Sequence, residues 1–193
     1  MRKVLFVCTV NRWRSPMAEY LFRNILEKSG GDVYEEVEAS SAGIILDEEK
    51  EELIKKGIGL PAPVFGYKPL ACVMLYLMKR GIDSSMHTSR ELSEKMMDNA
   101  DLVVSVVDKH KNAIIRTYPN QRDKVFSLEE LSRPFNLPVM TDEPPGLMPP
   151  DKFCMLECDH WEVTDKAVSM IEERLEEAMN GILGLLGLDK VHL

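Results

Sequence analysis

The sequence predicts an α/β fold in three layers, in which a central parallel sheet of about four strands carries helices on both faces. Short apolar runs rich in β-branched residues alternate with longer segments whose apolar residues recur at helical spacing. Strands that are separated by helices pair in parallel through right-handed crossovers. The 193 residues are enough for a full hydrophobic core, so we expect a single domain over residues 1–193.

The individual elements follow in chain order from this periodicity. Residues 3–7 form a predicted buried strand, and residues 16–29 form an amphipathic helix in which Pro16 occupies an early position that needs no N–H. Residues 70–80 form a helix that ends at Gly81, because glycine adopts a left-handed cap without strain. The other predicted elements are strands at 34–40, 101–107 and 124–127 and helices at 91–99, 109–118 and 164–186.

The first strand ends at a cysteine, and an arginine follows shortly before the first helix. Cys8 and Arg14 are therefore expected to face one small cavity lined by backbone N–H groups and by the positive end of that helix. Such a cavity suits a tetrahedral oxyanion held above a nucleophilic sulfur. The loop predicted to bind this anion, named the phosphate loop below, consists of Thr9, Val10, Asn11, Arg12, Trp13, Arg14 and Ser15.

Each residue type in this loop has its own chemical reason. A thiol is nucleophilic as the thiolate, which a helix N-terminus and a nearby cation both favour at Cys8. The planar fork of Arg14 grips two phosphate oxygens at once and stays charged. Ser15 is the first candidate to donate a hydrogen bond to the thiolate when sulfur leaves. A cysteine at a strand end is also typical of an inert core residue, but the spacing to arginine and serine favours the nucleophile.

In this pattern the sequence resembles the low-molecular-weight protein tyrosine phosphatase family, whose phosphate-binding loop has this form near the N-terminus. The likeness continues along nearly the whole chain. It is carried further by Ser40-Ser41-Ala42-Gly43, by Gly81-Ile82-Asp83, by His87-Thr88-Ser89-Arg90-Glu91-Leu92 and by the segment 101–110. The resemblance implies a phosphocysteine intermediate on Cys8 and a loop held in shape by a polar network of Asn11, Ser15, Ser41 and His87.

The family also uses an aspartate, just before the last helix, as general acid for the leaving oxygen. The corresponding residue here is Asp159, followed by His160 where the family has proline. Asp142 and Asp151 are alternatives because the segment around them is proline-rich and hard to align. A helix-capping role for Asp159 also stays open, since aspartate is favoured at N-caps.

Several departures from the family pattern concern the substrate. The segment 44–70 is longer than the corresponding family loop and is interpreted as an insert, with an acidic run followed by a proline-rich and aromatic half. A wall of the substrate cleft is predicted from Phe65, Tyr67, Trp13 and Trp161; packing of these aromatics on the surface is the alternative. Val10 stands where glycine is usual, so either this residue keeps ordinary backbone angles or the loop differs in shape.

Composition restricts the partners and the compartment. The formal net charge of -8 gives no general attraction to nucleic acid or to an anionic membrane. Four cysteines without a signal-like segment favour the cytoplasm, a reducing compartment. Cys154 and Cys158 lack the matching second pair of a zinc site, and the family chemistry requires no metal or cofactor.

The predicted function is hydrolysis of phosphotyrosine or another aryl phosphate in a protein or small molecule, with inorganic phosphate as product and inhibitor. Three alternatives stay open. A protein arginine phosphatase shares the fold, although the cation of Arg12 would repel a guanidinium leaving group. An arsenate reductase needs further cysteines, and only Cys72 lies in the middle of the chain. Val10 and His160 would also fit a phosphate-binding homologue with reduced activity.

Overall fold

The structure is a computed structural model that describes residues 1–29, 33–45, 50–51, 64–132 and 161–188, with the backbone alone at 33, 34 and 161–168. In this part of the chain, four parallel strands form one sheet in the order β2-β1-β3-β4. The strands are β1 (Arg2–Cys8), β2 (Val37–Gly43), β3 (Leu102–Ser105) and β4 (Val125–Ser127). The helices are α1 (Arg14–Ser29), α2 (Val33–Glu36), α3 (Ala71–Lys79), α4 (Glu94–Asn99), α5 (Asp108–Thr117), a 3-10 helix (Pro119–Lys124), α6 (Leu128–Ser132) and α7 (Trp161–Leu185).

Side chains of the central strand β1 alternate between two apolar layers, as the period of a strand requires. Val4, Phe6 and Cys8 face a cluster that α1, α3 and α7 cover. Leu5 and Val7 face a second cluster, covered by α4 and α5. The predicted three-layer α/β class is therefore confirmed, and both faces of β1 are buried as the continuous apolar run indicates.

Helix α3 ends as the sequence predicts. Gly81 has a φ of 76°, and its N–H donates to the carbonyl of Met78 while the N–H of Ile82 donates to that of Leu77. These two bonds form a Schellman motif that satisfies carbonyls at the end of the helix.

The second strand lies three residues later than predicted, and this prediction was wrong in its bounds. The residues expected to begin it form the short helix α2, and the strand itself continues through Gly43. Its last residues are small because Phe6 pairs with Ser41 and Cys8 pairs with Gly43, directly beside the loop that follows β1. Helix α4 also begins later than expected, at Glu94. Ser93 precedes the helix as its N-cap, and its side chain accepts a hydrogen bond from Met96 N at 3.4 Å.

The predicted insert at 44–70 is described only in part. Residues 46–49 and 52–63 lie outside the described residues, and so do Asp142, Asp151, Asp159 and His160. Trp161 begins α7, but its side chain is not described. No helix within the described ranges is long and apolar enough to cross a membrane.

Candidate active site

The candidate site lies at the carboxyl end of β1, where α/β sheets place their ligands. Cys8 ends the strand and is 2% exposed, and Arg14 begins α1 after a five-residue loop. The Cys8 Sγ lies 3.1 Å from the Oγ of Ser15, in the first turn of that helix. The nucleophile predicted from the sequence therefore faces a helix N-terminus and a hydroxyl group.

Ser15 has two further partners. Its Oγ accepts a bond from Asn11 Nδ2 at 3.0 Å and lies 3.1 Å from the carbonyl oxygen of Ala42, to which it donates. A hydroxyl has one hydrogen, so Ser15 directs it either to Ala42 or to the sulfur of Cys8. The arrangement allows this hydrogen to turn to sulfur whenever Cys8 carries negative charge.

Asn11 is the centre of the loop's internal bonding. It is fully buried, and its φ of 54° lies in the left-handed region that asparagine tolerates. Its Nδ2 also donates to Ser41 Oγ at 2.8 Å, and its Oδ1 accepts from the backbone N–H of Arg90 at 3.0 Å. Val10 is not among the residues with positive φ in the described chain, so its β-branched side chain meets ordinary backbone angles.

The network continues to a buried carboxylate in α1. Ser41 Oγ donates to Glu19 Oε2 at 2.6 Å, and Arg23 pairs with Glu19 at 2.9 Å. His87 lies between the carbonyl of Asn11, at 3.2 Å from Nε2, and the carboxylate of Glu19, at 3.8 Å from Nδ1. Because a carbonyl can only accept, Nε2 is the nitrogen that carries the proton. The pKa of His87 is lowered, and burial of the ring is the largest cause of this shift.

The structure brings together all four residues predicted to support the loop: Asn11, Ser15, Ser41 and His87. Sequence reasoning missed Glu19 and Arg90, which complete the network. Glu19 carries one available signal, an acidic residue among the apolar positions at the start of α1. Arg90 donates its Nε to the carbonyl of Ser41 at 2.9 Å, a contact between distant segments for which the sequence holds no periodic signal.

Arg14 is half-buried beside the loop it closes. Its Nη2 donates to Thr9 Oγ1 at 3.3 Å, and its guanidinium carbon lies 5.9 Å from the ring centre of Trp13. Trp13 was predicted as a possible substrate wall, but its side chain is only 8% exposed and packs in the apolar cluster with Met17. That packing leaves little of the ring to meet a substrate.

The described end of the insert lies against the loop. Arg12 donates its Nε to the carbonyl of Lys68 at 3.1 Å, and its own carbonyl accepts from Leu70 N at 2.9 Å. The guanidinium of Arg12 lies 5.1 Å from the ring centre of Tyr67, in a cation–π contact. The segment thus reaches the phosphate loop by backbone bonds and by an aromatic ring.

Gly43 allows this close approach. A Cβ added there would lie 2.6 Å from the Thr9 carbonyl oxygen, 2.7 Å from Cε1 of Phe65 and 3.0 Å from Asn11 N. The ring of Phe65 is therefore packed against the same small residue as the loop. Of the predicted substrate wall, Phe65 and Tyr67 border the loop, whereas the side chain of Trp161 is not described.

Comparison with known proteins adds a second line of evidence. A family model described as low molecular weight phosphotyrosine protein phosphatase matches residues 3–62 and 59–137. The chain is 35% identical to a protein-arginine-phosphatase of Bacillus subtilis over 130 residues, which span 66% of this chain and 70% of that protein. It is 31% identical to a low molecular weight phosphotyrosine protein phosphatase of Schizosaccharomyces pombe over 143 residues, 74% of this chain and 80% of that one.

Solved structures agree with the sequence matches. A low molecular weight protein tyrosine phosphatase from T. tengcongensis superposes with a TM-score of 0.67 at 27% identity, covering 94% of this chain and 99% of that one. A mutant of YwlE from Bacillus subtilis has the same TM-score at 26% identity, with 94% and 99% coverage. The fold, the loop after β1 and the matched sequence lead to one conclusion: the chain belongs to the low molecular weight phosphotyrosine protein phosphatase family.

Proposed function

We propose that this chain is a cysteine-dependent phosphatase that hydrolyses phosphotyrosine or other aryl phosphate monoesters through a phosphocysteine on Cys8. The observation that carries the proposal is the position of Cys8 Sγ, 3.1 Å from Ser15 Oγ at the N-terminus of α1, with Arg14 in the same turn. Membership of a phosphatase family gives independent support.

In the first step, the thiolate of Cys8 attacks phosphorus in line with the leaving oxygen. The S–P bond forms while the P–O bond to the leaving group breaks, and Asp159 gives its proton to that oxygen. The loop N–H groups and the guanidinium of Arg14 hold the equatorial oxygens, whose charge changes in the transition state. The product of this step is the phosphocysteine and a neutral phenol.

In the second step, water replaces sulfur on phosphorus. The carboxylate of Asp159 takes a proton from the water as its oxygen attacks, the P–S bond breaks, and inorganic phosphate leaves. The electron pair returns to Cys8 as a thiolate. Ser15 is positioned to donate its hydrogen to that sulfur, because Asn11 already supplies the bond that the hydroxyl oxygen accepts.

Turnover of p-nitrophenyl phosphate by the wild type and by matched variants tests the proposal. Cys8→Ser is expected to abolish turnover, whereas Cys72→Ser, the matched control, retains it. Asp159→Asn is expected to lower kcat on the order of a hundredfold to ten-thousandfold, the range for a lost general acid. The same change at Asp142 or Asp151 has a small effect. Wild-type turnover that does not depend on Cys8 at any pH would refute the proposal.

Hydrolysis of phosphoarginine is the second candidate function. Relatives from Bacillus subtilis and Geobacillus stearothermophilus, 35% and 30% identical, are named protein-arginine-phosphatases. The cation of Arg12, anchored at the loop by Lys68, opposes this substrate because it repels a guanidinium leaving group. Hydrolysis of matched peptides that carry phosphotyrosine or phosphoarginine discriminates the two candidate functions. We expect a higher kcat/KM for the phosphotyrosine peptide. In Arg12→Thr, which lacks the cation, we expect a smaller difference in kcat/KM between the two peptides.

The contacts of residues 64–70, the described end of the predicted insert, support a single catalytic domain in which this end borders the substrate cleft. Phe65 packs beside Gly43 and Tyr67 stacks on Arg12, so both rings lie next to the loop. Tyr67→Ala is expected to raise KM for aryl phosphates more than it lowers kcat. An unchanged KM in this variant would remove Tyr67 from the wall.

The same chemistry indicates the partners. Inorganic phosphate is the product of the proposed reaction, so we expect it to compete with the substrate for the loop. The net charge of -8 disfavours nucleic acid and anionic membranes as partners. A thiolate nucleophile is preserved in a reducing compartment, which supports the cytoplasm as location.

A further inference from the structure

A buried histidine outside the mechanism described above contacts the phosphate loop. His110, the third residue of α5, is 1% exposed, and its Nε2 lies 2.8 Å from Thr9 Oγ1. The same Oγ1 accepts the bond from Arg14 Nη2. We infer that His110 is a positioning residue that, through the hydroxyl of Thr9, holds the guanidinium of Arg14 in the orientation that binds the phosphoryl group.

The hydroxyl of Thr9 can serve both neighbours at once. Its oxygen has two lone pairs and one hydrogen. One lone pair accepts from Arg14, whose guanidinium can only donate. Towards His110, Thr9 donates its hydrogen when Nε2 is bare and accepts when Nε2 carries a proton. In either case Oγ1 has a second hydrogen-bond partner besides Arg14, which restrains its position.

The fold holds His110 in place before any substrate binds. The N–H of Val106 donates to the carbonyl of Val7 at 3.0 Å, which attaches the end of β3 to the end of β1. The N–H of His110 donates to the carbonyl of Val107 at 3.1 Å, and Asp108 accepts a bond from the hydroxyl of Ser127 in β4. The first turn of α5 is therefore attached to the same sheet edge as Cys8.

Arg14 is thereby restrained on two sides. Thr9 holds Nη2, and the ring of Trp13 lies 5.9 Å from the guanidinium carbon. A free arginine side chain samples many rotamers, and ordering it on binding costs affinity. Because Thr9 and His110 restrain the guanidinium, the side chain of Arg14 is already ordered in the folded protein before phosphate binds.

The inference rests on the proposed role of Arg14 in holding phosphate, so the test measures binding of inorganic phosphate by calorimetry as well as turnover. His110→Ala is expected to weaken phosphate binding and to raise KM by about fivefold to tenfold, the effect of losing one hydrogen bond next to a charged group. Thr9→Val removes the hydroxyl at nearly constant shape and is expected to do the same.

Two further variants separate positioning from folding. His110→Gln carries a polar atom as many bonds from the backbone as Nε2 and is expected to recover most of the affinity, whereas His110→Asn is too short and is not. Thr117→Val, a control at the far end of α5, removes a bond to the Ala113 carbonyl and leaves phosphate binding unchanged. The double variant of Thr9→Val with His110→Ala is expected to lose no more than either single change.

Unchanged phosphate affinity in His110→Ala would overturn the inference, and so would a lower active fraction with unaltered KM and phosphate affinity, because that pattern indicates a folding defect alone. Additive losses in the double variant would also overturn it. The proposed function fails separately: wild-type protein that binds phosphate but hydrolyses no aryl phosphate would refute the phosphatase, and the calorimetric comparison of the variants would still decide the role of His110.

Discussion

At the scale of single residues, Asn11 combines two properties that a substitution can separate. It adopts a φ of 54°, and its buried side chain bonds to Ser15, Ser41 and the N–H of Arg90. Asn11→Ala loses the bonds and also strains the left-handed backbone, so we expect a loss of about 3 kcal/mol in the free energy of unfolding. Asn11→Gly loses the bonds without the strain and is expected to lose about 1 kcal/mol less.

Urea denaturation at pH 7 measures both variants. Equal unfolding free energies for the alanine and glycine variants would contradict the prediction, because they would show that a residue with a Cβ is not strained in the left-handed conformation at this position. Both variants are expected to lose kcat as well, because the hydroxyl of Ser15 is no longer held beside Cys8.

The buried His87 is expected to make the stability of the protein depend on pH. Burial, the largest cause, lowers its pKa below the ordinary value of 6.5; Arg90 and Lys68 act in the same direction, while the bond to Asn11 and the charge of Glu19 oppose it. As pH falls, the unfolded chain binds the proton first. The stabilising effect of a neutral His87 is therefore complete above 6.5 and is lost progressively as pH falls below that value.

Comparison of the wild type with His87→Gln checks this sign. The variant cannot titrate at this position, so the difference in unfolding free energy between the two proteins is expected to shrink from pH 7 to about pH 5. A difference that stays constant or grows towards acid would contradict the lowered pKa.

The residue scale also shows what a sequence can reveal about a site. Cys8 and Ser15 lie in one short segment, so local spacing was enough to predict that their side chains meet. Two partners of the loop could not be predicted in this way. His110 lies 101 positions from Thr9, and Arg90 lies 79 positions from Asn11. Periodicity reports which face of an element is buried, not which distant side chain meets it.

At the scale of elements, the end of β2 controls the shape of the phosphate loop. Gly43 pairs with Cys8, and a Cβ there would meet the Thr9 carbonyl at 2.6 Å and the Phe65 ring at 2.7 Å. Gly43→Ala must displace the loop backbone, so we expect a loss of about 1–3 kcal/mol in unfolding free energy and at least a tenfold lower kcat/KM. Steady-state kinetics with thermal denaturation measures both quantities.

A matched glycine in α7 provides the control. A Cβ at Gly184 meets nothing within 4 Å, so Gly184→Ala is expected to stabilise the helix by about 0.5–1 kcal/mol and to leave kcat/KM unchanged. If Gly43→Ala were as active and as stable as the wild type, the close packing of β2 against the loop would not limit its shape.

The same strand marks the limit of sequence-based prediction for elements. The bounds of β1 and α1 were predicted to within two residues because large apolar side chains mark their buried faces. β2 was placed three residues early because Ser41, Ala42 and Gly43 carry no such signal. Their small size reflects the loop that passes beside them, a tertiary requirement that overrides local propensity.

At the scale of the whole molecule, the apolar clusters on both faces of β1 connect the site to the cooperative core. Cys8 and Trp13 belong to the cluster that also contains Met17 in α1 and Leu175 in α7. The three-layer order could be predicted because alternating strands and helices permit few topologies. The position of residues 64–70 beside the loop was one of two alternatives that the sequence left open. The contacts that hold the segment there, of Arg12 with Lys68 and Leu70, are encoded by no local pattern.

Because the loop is part of this core, a ligand on the loop is expected to stabilise the entire domain. A ligand that binds only the folded state at a hundred times its Kd adds about 2.7 kcal/mol to the free energy of unfolding. For a domain of this size we expect inorganic phosphate to raise Tm by about 5–10 °C at that concentration.

Two arginine variants test whether this shift arises at the loop. Arg14→Ala removes the guanidinium that holds the anion and is expected to lose most of the rise in Tm, whereas Arg116→Ala on α5 is expected to keep it. Sodium chloride at matched ionic strength provides the baseline; an equal rise in Tm with chloride, or an undiminished rise with phosphate in Arg14→Ala, would contradict specific binding at the loop.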